Sequence, residues 1–188
     1  MDEKLDISIP VFEELIKSGK LDEIGKVVVL GCGKGHDAVL FAKAGYDVTA
    51  LDFAPDVIHE TRQLAKKSKV NITTHNVDLF ELPGRMLNKF DFALEYVTYC
   101  SINPARRKEY LDNIQALLKP GGILIGLFFP TDKREGGPPF SVDVDELTSY
   151  LNEAFFLIHS EIPNSSVKPR LGKEILMLWK KKIIWVKK

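Results

Sequence analysis

The chain has 188 residues, of which 45% are hydrophobic and 28% are charged, and this composition fits one globular domain with a sizeable core. Its 26 basic and 26 acidic residues balance, so charge gives no reason to expect nucleic acid as a partner. The two cysteines make no disulfide framework, the four histidines lack zinc-type spacing, and no apolar run approaches the roughly 18 residues of a membrane span. We therefore expect a cytoplasmic protein with no metal site and no membrane partner.

The hydrophobic pattern alternates between strands and helices along the chain. A short helix, PVFEELIKSG, precedes strand KVVVLG, helix HDAVLFAKAG, strand YDVTALD, helix PDVIHETRQLAKKS and strand VNITTHNVD. Strand FDFALEYV, helix PARRKEYLDNIQALLK and strand GILIGLFF follow, and then helix VDELTSYLNEAF and strands FLIHSEI and KEILMLWKK. This order predicts an α/β fold: a seven-stranded, mostly parallel, doubly wound sheet with an antiparallel terminal strand and helices on both faces.

A glycine-rich turn, GCGKG at residues 31–35, connects the first strand to the next helix. In an open α/β sheet, ligands bind beyond the carboxyl ends of the strands. Glycines let a ligand approach the backbone closely, and the free amides at the start of a helix favour a negative group. Asp52 ends the second strand, where its carboxylate can accept hydrogen bonds from ribose hydroxyls. Together these features predict a nucleotide site.

The form of the turn narrows the choice of nucleotide. A dinucleotide fingerprint, GxGxxG, requires glycine at position 36, where the chain has His36, and no GxxxxGK[ST] sequence of a P-loop is present. A GxGxG turn with an acid about 20 residues later fits S-adenosylmethionine better than NAD or ATP. Asp78, after the third strand, is suited either to the adenine amino group or to capping its own turn. The sequence of helix, Pro-Gly-Gly and strand near residue 120 is typical of class I methyltransferases.

The motifs resemble those of the thiopurine S-methyltransferase family, which also contains thiol and halide methyltransferases. CGKGHDAVLFAKAGYDVTALDFAPDVI resembles the cofactor motif of the family, and FDFALEYVTYCSINPARRKEYLDNIQALLKPGG, GGPPFSV and PRLGKE resemble its later motifs. The likeness runs from about residue 26 to about residue 179. It implies a Rossmann-like class I methyltransferase fold in a single domain, 1–188, with S-adenosylmethionine as methyl donor and S-adenosylhomocysteine as product.

The resemblance also implies two sets of site residues. The cofactor set is Gly31, Cys32, Gly33, Lys34, Asp52, Phe53, Asp78, Leu79, Glu95 and Tyr96. The substrate set is Pro138, Pro139, Phe140, Tyr99 and Arg170. Arg170 and Glu95 are expected to act in catalysis, with Glu95 beside the methionine amino group. Val29 occupies the position at which many class I enzymes carry an acid.

The predicted topology adds an expectation about the substrate side. The loops 130–142 and 163–172 both leave the carboxyl edge of the sheet, so Pro138, Pro139 and Phe140 are expected to face Arg170 across one pocket. The alternatives are a stiff loop for the two prolines and a surface position for the arginine. The N-terminal segment 1–25 is expected to be helical and to lie over the cofactor site.

These inferences predict an enzyme that transfers a methyl group to a small nucleophilic acceptor, a thiol, thiopurine or halide, by in-line displacement. One alternative is a methyltransferase of the tellurite-resistance type or one with another small acceptor. The other is a protein that binds S-adenosylmethionine with little turnover. The expected oligomeric state is a monomer or a weak homodimer.

Overall fold

The computed structural model describes residues 7–21 and 23–183. Its helices are α1 (Pro10–Lys17), α2 (His36–Lys43), α3 (Pro55–Lys67), α4 (Arg107–Leu117) and α5 (Val144–Ala154). Its strands are β1 (Lys26–Leu30), β2 (Asp47–Asp52), β3 (Ile72–Asn76), β4 (Phe90–Tyr96), β5 (Leu118–Phe128), β6 (Phe155–Glu161) and β7 (Ile175–Lys181). Residues 1–6 and 22 of the predicted N-terminal segment lie outside the described residues.

The strands form one seven-stranded sheet in the order β3-β2-β1-β4-β5-β7-β6. The first five strands pair in parallel, and β7 runs antiparallel to both β5 and β6. The predicted mostly parallel sheet with an antiparallel terminal strand is therefore confirmed. Because the strand order reverses between β1 and β4, the carboxyl ends of these two strands are the expected position of a ligand site.

Both faces of the sheet are buried, which explains the unbroken apolar run of β1. Val28 and Leu30 pack into a core with α4 and α5, whereas Val27 and Val29 pack into a second core with α1 and α2. Successive residues of a strand point to opposite faces, so one short strand contributes to both cores. The end of β1 is thereby held rigidly from both sides.

Strand β5 begins earlier than its sequence pattern indicates. The pattern predicts a start after the Pro-Gly-Gly turn, but the strand starts at Leu118, which pairs with Phe90 of β4. The next paired residues are Phe92 and Ile123, so the Pro-Gly-Gly segment forms an irregularity within the pairing. Glycine and proline are typical both of turns between elements and of β-bulges, so the sequence alone does not distinguish the two. Here the pairing with β4 on both sides of the segment shows that it interrupts a strand and does not precede one.

Two glycines of the turn between β1 and α2, Gly33 and Gly35, differ in what surrounds them. Gly33 and Gly35 both have positive φ, +53° and +86° respectively. A Cβ atom on Gly35 would lie 2.7 Å from the methyl group of Thr61 on α3, whereas one on Gly33 would meet no atom of the described residues within 4 Å. Gly35 therefore permits close packing of helices, while the Cα of Gly33 faces open space.

The Glu95 side chain lies in the core, and its place beside the methionine end of the cofactor, which the resemblance implies, stays a prediction. It is 1% exposed; the backbone amide of Tyr99 donates to one carboxylate oxygen at 2.8 Å, and the hydroxyl of Tyr110 donates to the other. Tyr99, expected on the substrate side, is also buried, and its ring packs edge-on against Phe128. Alternation along β4 explains the difference, because Glu95 and Tyr96 must point to opposite faces of the sheet.

Burial governs the ionisation of this carboxyl group. Removal from water raises the pKa of Glu95 from 4.5 to about 7, and the hydrogen bonds that favour its charged form offset this effect only in part. Asp37, in the first turn of α2, shows the same effect, since burial raises its pKa to about 6. Both groups are therefore less acidic in the folded chain than in the unfolded chain.

We expect Gly35→Ala to destabilise the fold more than Gly33→Ala. Both variants force a side chain into the left-handed region, at a cost of about 1–2 kcal/mol. Only Gly35→Ala must also displace Thr61, at a further cost of about 1–3 kcal/mol. Urea unfolding measures both values, and Gly33→Ala is the matched control. Equal losses in the two variants would show that contact with α3 is not the reason for Gly35.

We also expect the free energy of unfolding to fall as the pH rises from about 4.5 to about 7. Over this window the unfolded chain has released the Glu95 proton and the folded chain still holds it, so stability decreases with pH. Glu95→Gln removes the titrating group and should flatten the profile. Since the pKa of Asp37 reaches only about 6, the slope nearest neutral pH reports on Glu95. Urea unfolding across the window is the measurement, and an unaltered slope in Glu95→Gln would contradict the assignment.

Candidate functional site

A cavity of about 350 Å³ lies beyond the carboxyl ends of β1 and β4, where the strand order reverses. Its walls come from the segment before α1, the glycine turn, the first turn of α2, one side of α3, the end of β4 and the 163–172 loop. Its volume falls within the range of small-molecule sites. Position and size both agree with the ligand site that the sheet topology predicts.

The cavity brings together six of the residues expected in the site. These are Gly31, Cys32, Gly33, Lys34, Tyr96 and Arg170. The first four belong to the glycine turn, Tyr96 ends β4, and Arg170 comes from the 163–172 loop, which is distant in sequence. Ile7 and Ile9 also line the cavity, so the described part of the N-terminal segment borders it.

Asp52 lies beside the cavity, at the end of β2, and supports the glycine turn. It is 7% exposed; one carboxylate oxygen accepts from the amide of Gly33 at 3.2 Å, and the other accepts from the amide of Ala54 at 3.0 Å. A carboxylate has about four acceptor positions, so these two bonds leave capacity for hydroxyl donors. The geometry fits a ribose at this position.

The remaining predicted cofactor residues extend from Asp52 along the edge of the sheet. Phe53 is 77% exposed, an unusual state for a phenyl ring next to a cleft. Asp78 follows β3, which pairs with β2, and its carboxylate accepts from the amide of Phe80 at 2.9 Å. Asp78 thus caps its own turn, as one of the two alternatives predicted, and it uses one carboxylate oxygen for this bond. Leu79 is half-buried beside it. These groups form an open shelf next to the cavity.

Arg170 is held in the cavity wall and is not a surface arginine. Its Nη1 donates to the hydroxyl of Tyr96, which in turn donates to Glu174 at 3.0 Å, and Nη1 lies 3.8 Å from the Glu174 carboxylate. The guanidinium also lies over the Phe129 ring, 4.6 Å from its centroid. Because guanidinium has five N–H groups, most of its donors are left for a ligand. Burial raises the pKa of Glu174, and the nearby Arg170 charge opposes this effect.

Val97, which sequence reasoning missed, carries backbone strain at the cavity. It lines the wall directly after β4 and has φ of +57°, a value that is rare for a β-branched residue. The hydroxyl of Ser101 donates to its carbonyl at 2.8 Å and helps to hold this conformation. Strained residues concentrate at ligand sites. No residue in the sequence marks this feature, because the conformation arises from the surrounding turn.

Pro138, Pro139 and Phe140 of the 130–142 loop are not among the described residues that line the cavity, and their position opposite Arg170 stays a prediction. Phe140 lines a separate depression beside α4 and α5, and its amide donates to the carbonyl of Cys100 at 2.7 Å. Buried Arg107, at the start of α4, donates to the carbonyl of Ser141 at 2.9 Å. These bonds hold the end of the loop against α4, while its start lies next to the 163–172 loop, where the amide of Thr131 donates to the carbonyl of Lys173 at 3.0 Å. Pro138 is exposed and Pro139 is half-buried.

The two thiols are not activated nucleophiles. Burial raises the pKa of both Cys32 and Cys100 to about 11, so each stays protonated at neutral pH. Within residues 7–21 and 23–183, no three His, Cys, Asp or Glu side chains are grouped so as to hold a metal ion. In the same ranges no helix has both the length and the apolar character for crossing a membrane.

Comparison with known proteins identifies the family of this chain. A sequence model of the thiopurine S-methyltransferase family matches residues 5–186. A probable thiol methyltransferase 2 from Arabidopsis thaliana is 34% identical over 179 residues, which cover 92% of this chain and 76% of the relative. Thiocyanate methyltransferase 1 from Brassica oleracea is 35% identical over 176 residues, with the same coverage of 92% and 76%.

Solved structures agree on the fold. The 1,6-didemethyltoxoflavin-N1-methyltransferase of Burkholderia thailandensis, solved with S-adenosylhomocysteine, superposes with a TM-score of 0.71 at 23% identity. The superposition covers 93% of this chain and 78% of that one. The family match spans nearly the whole chain, and the sheet order is that of class I methyltransferases. The chain belongs to the thiopurine S-methyltransferase family of S-adenosylmethionine-dependent methyltransferases.

Proposed function

We propose that this enzyme methylates a small anionic or polarisable acceptor, a thiol, thiopurine or halide. The observation that carries the proposal is the position of Arg170 in the wall of the same cavity as the glycine turn. A fixed guanidinium favours an anion, and its bond to Tyr96 and its packing on Phe129 fix its direction. The names of the thiol and thiocyanate methyltransferases among the relatives support this class of acceptor.

The cofactor is proposed to bind across the cavity and the shelf beside it. Gly31, Cys32, Gly33 and Lys34 would hold the methionine end, with Tyr96 opposite them. Asp52 would bind the ribose, and Phe53, Asp78 and Leu79 would surround the adenine. The open space at Gly33 and the spare acceptor positions of Asp52 support this arrangement. When bound, S-adenosylmethionine supplies a methyl group that its sulfonium has already activated.

The protein contributes position and environment to the transfer. Arg170 would hold the acceptor in line behind the methyl group, and such positioning lowers a barrier by up to roughly 7–11 kcal/mol. Ile9 and Val97 add apolar surface to the cavity, and a poorly hydrated thiolate or halide is more nucleophilic. A thiolate or halide needs no general base. Glu95 and Tyr99 are therefore not required as catalytic groups, which agrees with their burial in the core.

The 130–142 loop is proposed to act on the acceptor side indirectly. Phe140 bonds to the carbonyl of Cys100, in the 97–101 turn that also carries Val97 into the cavity. Pro138 and Pro139 precede it and would restrict the loop. The loop would thus set the shape of the cavity wall without touching the acceptor.

A cytoplasmic location and a monomeric or weakly dimeric state remain predictions. Unpaired Cys32 and Cys100 support a reducing compartment. The exposed apolar side chains of the edge strand β6, including Phe156 and Ile158, support weak self-association.

The acceptor class can be tested with methyl-labelled S-adenosylmethionine and a panel of acceptors. We expect labelled product from aryl thiols, thiopurines, thiocyanate or iodide, and little from neutral amines or alcohols, because only the former present an anion or soft nucleophile to Arg170. Mass spectrometry of the products is the measurement. Transfer to tellurite alone would favour the tellurite-resistance alternative, and cofactor binding without any transfer would favour a binding protein.

Arg170→Met should lower kcat/KM for thiocyanate or iodide about tenfold to hundredfold, the effect of losing one charge-assisted hydrogen bond of roughly 1.5–3 kcal/mol. For a thiol the loss should shrink as the pH rises, because the thiolate then forms without help. Cofactor affinity should change little.

The variant leaves buried Glu174 without its cation, so the double variant Arg170→Met/Glu174→Gln is the matched control. Recovery of activity in the double variant would assign the loss to the unpaired Glu174 instead of to the acceptor. Full activity of Arg170→Met towards every anion would remove Arg170 from the acceptor site.

A further inference from the structure

Asp37 is the more buried of the two carboxylates that line the described cavity. In the described chain the carboxylates that line the cavity are Asp37 and Glu60. Glu60 is exposed on α3, whereas Asp37 is half-buried in the first turn of α2, two residues after the glycine turn ends. Burial raises the pKa of Asp37 to about 6, so it is mainly ionised at neutral pH although it is largely removed from water. The function described above uses neither group.

The contacts of Asp37 hold it in place and leave acceptor capacity. Oδ1 accepts from the amide of Ile9 at 2.8 Å, which links α2 to the segment before α1. Within the described part of the chain, this bond to Oδ1 is the one hydrogen bond that the Asp37 carboxylate accepts. A carboxylate accepts up to about four hydrogen bonds, so Oδ2 in particular is available to a donor in the cavity.

The methionine end of the cofactor needs an anion of this kind. It carries an ammonium and a carboxylate, and a buried ammonium is costly unless a hydrogen-bonding anion pairs with it. Lys34 gives this end of the cavity a cationic group, and Val29 offers no acid at the end of β1. Asp37 lies next to the residues that would hold the methionine end, and Glu60 lies at the exposed side.

We propose that Asp37 binds the ammonium group of the cofactor through Oδ2, while Oδ1 stays on Ile9. Asp37 would then couple cofactor binding to the position of the segment 7–9, since one carboxylate contacts both. The proposal rests on the assignment of the cavity to the cofactor.

The test compares two ligands that differ by one group. Isothermal titration is performed with S-adenosylhomocysteine and with its analogue in which hydrogen replaces the amino group, for the wild type, Asp37→Asn and Glu60→Gln. Asn keeps a carbonyl oxygen for the amide of Ile9, so a purely structural role is retained. Far-ultraviolet circular dichroism and thermal melting verify that each variant is folded.

We expect the wild type to bind S-adenosylhomocysteine more tightly than the analogue. Asp37→Asn should weaken S-adenosylhomocysteine binding about tenfold to hundredfold, as expected for loss of a charge-assisted bond, with little effect on the analogue. Glu60→Gln should keep the wild-type preference. This pattern would establish Asp37 as the ammonium ligand.

Other patterns would overturn the proposal in distinguishable ways. If Asp37→Asn weakens both ligands equally, or neither, Asp37 has only a structural role and the cavity assignment stands. If Glu60→Gln removes the preference, Glu60 is the ammonium ligand. If the wild type binds neither ligand, the cofactor assignment itself fails, and the role of Asp37 fails with it.

Discussion

The two-residue alternation of β4 is the constraint on which the site depends. Glu95 and Tyr96 are neighbours in sequence, yet the strand sends one side chain into the core beneath α4 and the other into the cavity. The core side chain must find hydrogen bonds there, and it does so with Tyr110 and the Tyr99 amide. Those bonds hold the turn after β4 in place. The strained conformation of Val97, at the start of that turn, is held in part by the hydroxyl of Ser101, which donates to its carbonyl.

The electrostatic character of the cavity follows from charges that are held at its wall. Arg170 is paired with Glu174 through Tyr96, and the carboxylate of Asp37 is fixed by the Ile9 amide. Each charge is therefore oriented before any ligand enters, and a ligand does not have to bear the free energy of ordering it. In the proposed function, a zwitterionic amino acid and an anionic acceptor require opposite charges at separate positions, and side chains of both signs line the cavity.

Much of the fold could be predicted from the sequence because its signals are local. Buried parallel strands have unbroken apolar runs, and a glycine turn followed by Asp52 at the end of the next strand is typical of a nucleotide site. The position of the site then follows from strand order alone. The sequence did not indicate the burial of Glu95 and Tyr99, because a family motif gives positions along the chain and does not give the face of the strand. Asp37 was missed for a related reason: an acid in the first turn of a helix is ordinary, and only the fold shows that it faces a cavity.

Topology predicts which edge of the sheet the two substrate-side loops leave, but it does not predict the direction that each loop then takes. Loops 130–142 and 163–172 leave the same edge of the sheet, but their directions depend on side chains elsewhere. Arg107 is 3% exposed and donates to the carbonyls of Phe140 and Ser141, so it holds the first loop against α4. Its guanidinium also lies over the Tyr99 ring, 4.5 Å from the centroid, which ties this loop to the same core as Glu95. Arg170 on the second loop lines the cavity, so in the proposed function it is the residue on which we expect acceptor selectivity to depend.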